Sequence, residues 1–121
     1  MGQRPTRGCS GVRSGTITFT KPDPAVDREQ AGWRPVLVVS GGEYTDHIPG
    51  LVLAVPLTTR DRGLPHHVPV GGATTGLQES TWALCEQVRA ISADQLRKPS
   101  GTCDEETVAA VRKILRRFLA L

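Results

Sequence analysis

At 121 residues the chain has the length of one domain, since a chain of roughly 150 residues already buries about two thirds of its unfolded surface in a single core. Its three cysteines, odd in number and without C-x-x-C spacing, exclude a disulfide frame and a cysteine zinc site, and the formal charge of +3 permits a polyanionic partner without requiring one. No apolar run approaches the ~20 residues that cross a bilayer and no apolar signal core opens the chain, so a cytoplasmic protein with reduced thiols and no membrane association is expected.

Residues 1–11 are rich in Gly, Arg and small polar residues without an apolar pattern, and are expected to be a flexible tail ahead of one domain at 12–121. Arg4 and Arg7 leave contact with nucleic acid open there. Gly15-Thr16-Ile17-Thr18-Phe19-Thr20 alternates at period two, predicting a half-buried strand with Ile17 and Phe19 inward and the threonines outward. Lys21-Pro22-Asp23-Pro24 stops it. The polar stretch from Lys21 to Trp33 is a loop of about a dozen residues, long enough in a small domain to suggest a lid or binding loop. Val36 to Val39 is continuously apolar and reads as a central strand buried on both faces, ended by Gly41-Gly42. A polar connection at 43–50 leads to Leu51-Val52-Leu53-Ala54-Val55-Pro56-Leu57-Thr58, a third strand in which Pro56 implies a bulge or an unpaired position.

A second polar loop, 59–65, carries Arg60 and Arg62 directly after that strand. His66 to Val70 resembles a short edge strand and Thr81 to Cys85 another, continued after a bend by Glu86 to Ile91 with Val88 and Ile91 inward. Ser92-Ala93-Asp94-Gln95 suggests one helical turn, and 97–101 reads as irregular. Thr102-Cys103-Asp104-Glu105 has the form of a capping box, after which Val108, Val111, Leu115, Phe118 and Leu119 recur at helical spacing, an apolar stripe expected to dock the helix, its end included, on the barrel. Acids in the first turn and Arg112, Lys113, Arg116 and Arg117 toward the end suit the helix dipole; contact with nucleic acid is the alternative reading of those four cations. The whole is mainly β with a C-terminal α-helix: five or six short strands in a strongly bent antiparallel sheet or open barrel.

Several chemistries fit poorly. His47, His66 and His67 lack helical i, i+4 spacing, and adjacent histidines on a strand are expected to point to opposite faces, so no metal site is expected. Ser40 precedes Gly41-Gly42, but the Gly-x-Ser-x-Gly elbow is absent, as is a Gly-x-x-x-x-Gly-Lys phosphate loop. What remains is Arg34, the last charge before the buried strand, and Thr58, which closes the next one. A guanidinium holds a phosphate and stabilises charge developing on it, and a threonine hydroxyl donates to a phosphate oxygen. Together they suit RNA cleavage by the neighbouring 2′-hydroxyl, although neither is a general base. Glu29 is the nearest candidate base in sequence; His66 or His67 would serve only if the edge strand reached the same rim.

Glu29-Gln30-Ala31-Gly32-Trp33-Arg34-Pro35-Val36-Leu37-Val38-Val39-Ser40 resembles the signature of the MazF/PemK (Kid) toxins of type II toxin-antitoxin modules. The likeness extends through Val55-Pro56-Leu57-Thr58 and Glu86-Gln87-Val88-Arg89-Ala90-Ile91 to the closing helix, covering 12–121. It implies an SH3-like, CcdB-like small barrel of five to seven antiparallel strands, a homodimer and an acidic antitoxin partner. It also implies sequence-selective, metal-independent cleavage of single-stranded RNA to 2′,3′-cyclic phosphate and 5′-hydroxyl ends, without cofactors. The matching catalytic residues are Arg34 and Thr58; on the endoribonuclease reading Glu29, Gln30, Thr59, Arg60 and Arg62 are expected to bind RNA, and Trp33 either to stack on a base or to pack at the base of the loop. Gly15-Thr16-Ile17-Thr18 departs from the family's opening Gly-Asp, aliphatic, aromatic, which removes an acid and a stacking ring from the first strand. The alternatives are a CcdB-like poison that binds DNA gyrase without catalysis, and a non-catalytic SH3-like binding module.

Overall fold

The computed structural model describes residues 13–21 and 32–121. The expected tail at 1–11, Cys9, Glu29, Gln30 and most of the expected lid lie outside the described residues. Three consecutive strands form the centre: β1 (Thr16–Thr20), β2 (Arg34–Val38) and β3 (Leu51–Thr58). They are joined antiparallel through Ile17 opposite Leu37 and Leu37 opposite Val55. β2 and β3 carry aliphatics on both faces because both faces are covered. One face builds a core of Ile17, Leu37, Val55, Leu57, Val68, Ala83 and Val111; the other packs Val36, Val38, Val52, Ala54 and Ile91 together. Each of the Val, Leu and Ile side chains, fully buried, contributes about 1.5–3 kcal/mol.

The free edge of β3 is shared by two partners, β6 (Arg89–Ser92) beside Leu51 to Ala54 and β5 (Trp82–Leu84) beside Leu57 and Thr58. Between them Val55 and Pro56 face a five-residue stretch, 84–88, that includes a 3-10 turn at Cys85–Gln87. Pro56 still pairs with Val36 on the β2 side, so its missing N–H falls where β3 changes partner. The unpaired position expected from Pro56 is this one. β4 (His67–Pro69) is an edge strand beside β5, and β7 (Gly101–Thr102) flanks β1 at the other edge. The described strands number seven, all antiparallel, curled into a half-barrel.

Four local expectations are corrected. β1 is buried on both faces, with Thr16, Thr18 and Thr20 as hidden as Ile17. The segment expected to be irregular covers them: Thr18 Oγ1 donates to the Arg97 carbonyl at 2.7 Å, and Arg97 and Ser100 donate N–H to Phe19 and Ile17. Thr18 is thereby a structural hydroxyl. The polar connection contains a short helix, α1 (Gly42–His47), which buries no residue and so leaves no apolar period to read. The terminal helix, α2 (Glu105–Phe118), is capped by Asp104 and not by Thr102. Thr102 is held in β7 opposite Thr16, while Asp104 Oδ1 accepts the Thr107 N–H at 2.9 Å and its hydroxyl at 2.6 Å. Finally, α2 buries Val108 and Val111 against the sheet, but Phe118 and Leu119 at its end are more than half exposed.

Candidate active site

Arg34 is the first residue of β2 and Thr58 the last of β3. The β2–β3 register that sets Val36 against Pro56, continued two residues toward the strand ends, sets Arg34 against Thr58. Two residues distant in sequence thus share one rim because two ladders end together. Arg34 also pairs with Thr20 of β1, so its backbone is held by the sheet while its side chain is exposed.

Thr58 is half-buried, and its Oγ1 accepts the Arg60 N–H at 3.1 Å. That bond occupies an acceptor site and leaves the hydroxyl proton available for donation outward. A cavity of about 360 Å³ opens beside it. It is lined by apolar Phe19, Pro35, Leu57 and Leu77 and by polar Thr58, Thr59, Gln78, Glu79 and Thr81. Arg34 does not line it, because alternation along β2 places Arg34 with Val36 on the face opposite Pro35 and Leu37.

Thr59, Arg60 and Arg62 are exposed on the loop after β3, which is folded locally by Asp61 Oδ1 accepting the Gly63 N–H at 2.9 Å. Trp33 is 40% exposed, yet the Arg97 guanidinium lies 4.5 Å from its ring centroid and the Lys21 ammonium 5.6 Å away. Such cation–π contacts at exposed sites contribute about 0.5–1 kcal/mol each. The ring is therefore partly covered, and it gathers Lys21 and Arg97 next to Arg34. Arg97, Gln78 and Glu79 have no local signal in the sequence; only the sheet topology brings them to this rim.

His66 and His67 lie elsewhere. Thr58 pairs with Trp82, and Trp82 with Pro69, so the histidine end of β4 is at least two strand spacings, about 9–10 Å, from Thr58. Their expected divergence is also corrected: His66 precedes β4 in a turn, free of strand alternation, and its Nε2 reaches Glu86 Oε1 at 3.6 Å. His67 Nε2 bonds Glu86 Oε2 at 3.2 Å. Burial pushes the Glu86 carboxyl up, but its backbone hydrogen bond and the two imidazoles outweigh this and hold it below the usual range.

The remaining nucleophile candidates are structural. Ser40 Oγ is buried and accepts the Leu53 N–H at 3.0 Å. The Cys85 thiol is pushed up to about 11 by burial and by Glu86, and Cys103 is raised by burial and by Asp104, so neither supplies thiolate at neutral pH.

Residues 13–119 match the family model of the PemK-like, MazF-like toxin of type II toxin-antitoxin system. The chain is 31% identical over 111 residues to the endoribonuclease EndoA of Bacillus subtilis, covering 91% of this chain and 96% of that protein. It is 30% identical over 115 residues to the endoribonuclease MazF9 of Mycobacterium tuberculosis, covering 91% and 98%. A crystal structure of MazE-MazF from Deinococcus radiodurans superposes with a TM-score of 0.74 at 27% identity, covering 90% of this chain and 96% of that one. The match spans the described domain from before β1 to the end of α2, and the chain belongs to the PemK-like, MazF-like toxins of type II toxin-antitoxin systems.

Proposed function

We propose that the chain is an endoribonuclease toxin that cleaves single-stranded RNA at a short sequence, with Arg34 and Thr58 as its catalytic residues. The observation that carries this reading is the register that brings both to one rim, with the Thr58 hydroxyl proton left to donate. Attack of a 2′-hydroxyl on the adjacent phosphorus forms the O2′–P bond and breaks P–O5′; the hydroxyl gives its proton to water and the leaving 5′ oxygen takes one from water, giving a 2′,3′-cyclic phosphate and a 5′-hydroxyl. The Arg34 guanidinium stabilises the charge that grows on the phosphoryl oxygens, and Thr58 donates to one of them. Both act by positioning and electrostatics, so the reaction needs no metal.

RNA crossing the rim meets cations on both sides: Arg34 with Lys21 and Arg97 around Trp33, and Arg60 and Arg62 beyond Thr59. Glu29 and Gln30 belong to the segment leading into Arg34 and complete the proposed RNA contacts. The cavity beside Thr58, with its mixed apolar and polar lining, suits one nucleobase on the side of β2 away from the Arg34 side chain, which supports sequence selectivity. The MazE-MazF neighbour supports an antitoxin as partner; an acidic antitoxin, a homodimer and action in the cytoplasm belong to the same proposal, and no described helix is long and apolar enough to cross a membrane.

A gyrase-type poison draws on one observation, the exposed Phe118 and Leu119 at the end of α2, which offer a helix surface for a protein partner. Substitution at Thr58 separates the two readings. Thr58→Val keeps the shape and β propensity but removes the donor. A hydrogen bond to a charged group contributes about 1.5–3 kcal/mol, so the turnover of a defined RNA should fall roughly 10- to 100-fold with KM little changed. Turnover equal to wild type would remove Thr58 from the mechanism.

A further inference from the structure

We propose that His66, His67 and Glu86 form a binding site for one borderline divalent transition-metal cation, with Zn²⁺ the best fit. The site is independent of the RNA-cleaving rim, from which two strand spacings separate it. Each residue offers one ligand atom, and the three atoms lie within 4.8 Å of one another. Zinc bonds of about 2.0–2.1 Å in a tetrahedron place ligand atoms roughly 3.3 Å apart. His66 Nε2 lies 3.6 Å from Glu86 Oε1 and His67 Nε2 lies 3.2 Å from Glu86 Oε2, so both imidazoles already face the one carboxylate at close to that separation, each on its own oxygen. To hold one ion the two imidazoles have to draw together and the exposed Glu86 carboxylate has to turn one oxygen toward both, and His66, in a turn ahead of β4, has the freedom to move.

The donor set is two imidazoles and one carboxylate, which suits Zn²⁺ over the harder Mg²⁺ and Ca²⁺. The scaffold beneath it is firm. His67 begins β4 with its side chain 3% exposed, and Glu86 sits in the 3-10 turn that follows β5, the strand to which β4 is paired. His66 and Glu86, 28% and 37% exposed, face solvent, so a cation has access and a water can complete its coordination. One feature limits the affinity. Ligation through His67 Nε2 places the ring proton on Nδ1, which is buried without a hydrogen-bond partner among the described residues. Missing second-shell support of this kind costs roughly 10- to 100-fold in affinity. The bound ion would tie the free edge strand to the turn after β5, beside the end of α2, where Phe118 lies 5.7 Å from the His66 ring.

The test is calorimetric titration of Zn²⁺ into the chelator-stripped full chain, with Co²⁺ as a spectroscopic probe. Wild type should bind one Zn²⁺ per chain with a rise in melting midpoint, and Co²⁺ should give visible d–d bands without a thiolate charge-transfer band. His66→Ala and Glu86→Gln, both at solvent-facing positions, each remove a direct ligand and should weaken binding by more than the roughly 10- to 100-fold that loss of an outer-shell partner costs, while circular dichroism stays unchanged. Cys103→Ser should bind as wild type. The proposal is overturned if wild type takes up no Zn²⁺ at millimolar concentration, if His66→Ala and Glu86→Gln bind as tightly as wild type, or if the Co²⁺ spectrum shows thiolate ligation.

Discussion

Arg34→Ala should leave a folded protein that cleaves single-stranded RNA at least about 100- to 1,000-fold more slowly than wild type, the loss typical of removing one preorganised donor from a developing oxyanion. The fold should survive because the Arg34 side chain is exposed and the strand beneath it is anchored by Val36, Leu37 and Val38, all buried. Arg34→Lys separates charge from geometry. An ammonium keeps the positive charge but not the planar fork that grips two phosphoryl oxygens, so it should recover only part of the rate. Single-turnover cleavage of one defined RNA by the three proteins, with melting curves alongside, measures both effects. An Arg34→Ala rate within a few-fold of wild type would remove the guanidinium from the chemistry.

The second large effect is on stability and lies far from the rim. Gly101 opens β7, where the chain returns to flank β1. A methyl group there would overlap the carbonyl oxygens of both Thr74 and Thr75. These atoms belong to backbone already tied down: the Thr74 carbonyl accepts the Thr102 N–H at 2.8 Å, and Thr75 is buried with Oγ1 accepting the Leu77 N–H. Relief therefore requires moving a strand. Overpacking of this kind costs about 1–3 kcal/mol and occasionally more. At roughly 4 °C per kcal/mol for a domain of this size, Gly101→Ala should lower the melting midpoint by about 4–12 °C. A midpoint equal to wild type would show that the two carbonyls yield freely. Cleavage by the surviving folded fraction should be normal, in contrast to Arg34→Ala.

Period and composition made the interior of the sheet legible. The aliphatic run from Val36 to Val39 reads directly as a strand covered on both faces, and the bounds of β3 follow from its apolar span and the polar loop after it. Residues whose roles depend on partners distant in sequence were not legible. Thr16, Thr18 and Thr20 look like a solvent face until residues 97–102 fold over them, because a buried threonine and an exposed one present the same local pattern. Thr102 and Asp104 both offer a capping side chain, and the choice between them is made by the pairing of Thr102 with Thr16. Likewise the histidines look divergent only if both are placed in the strand.

The candidate rim divides in the same way. Arg34 and Thr58 stand out because each closes an apolar run, and a register explains why two such ends meet. Leu77, Gln78 and Glu79 come from a stretch with no period, and Arg97 from one broken by Pro99, so only the folded sheet sets them near Thr58 and Trp33. The tertiary placement also weakens one inference from periodicity. Phe118 and Leu119 continue the apolar repeat of α2 beyond the surface that α2 covers, so the repeat alone does not argue that the helix end is docked.

The most direct measurement is incubation of the purified wild-type chain with a long, sequence-diverse single-stranded RNA in excess EDTA, followed by sequencing of the new 5′ ends and analysis of their chemistry. A site built on Arg34 and Thr58 predicts discrete fragments sharing a short sequence at the cut, with 5′-hydroxyl and 2′,3′-cyclic phosphate ends and no dependence on divalent ions. RNA left intact in EDTA but cut on addition of a divalent cation, or fragments bearing 5′-phosphates, would contradict it.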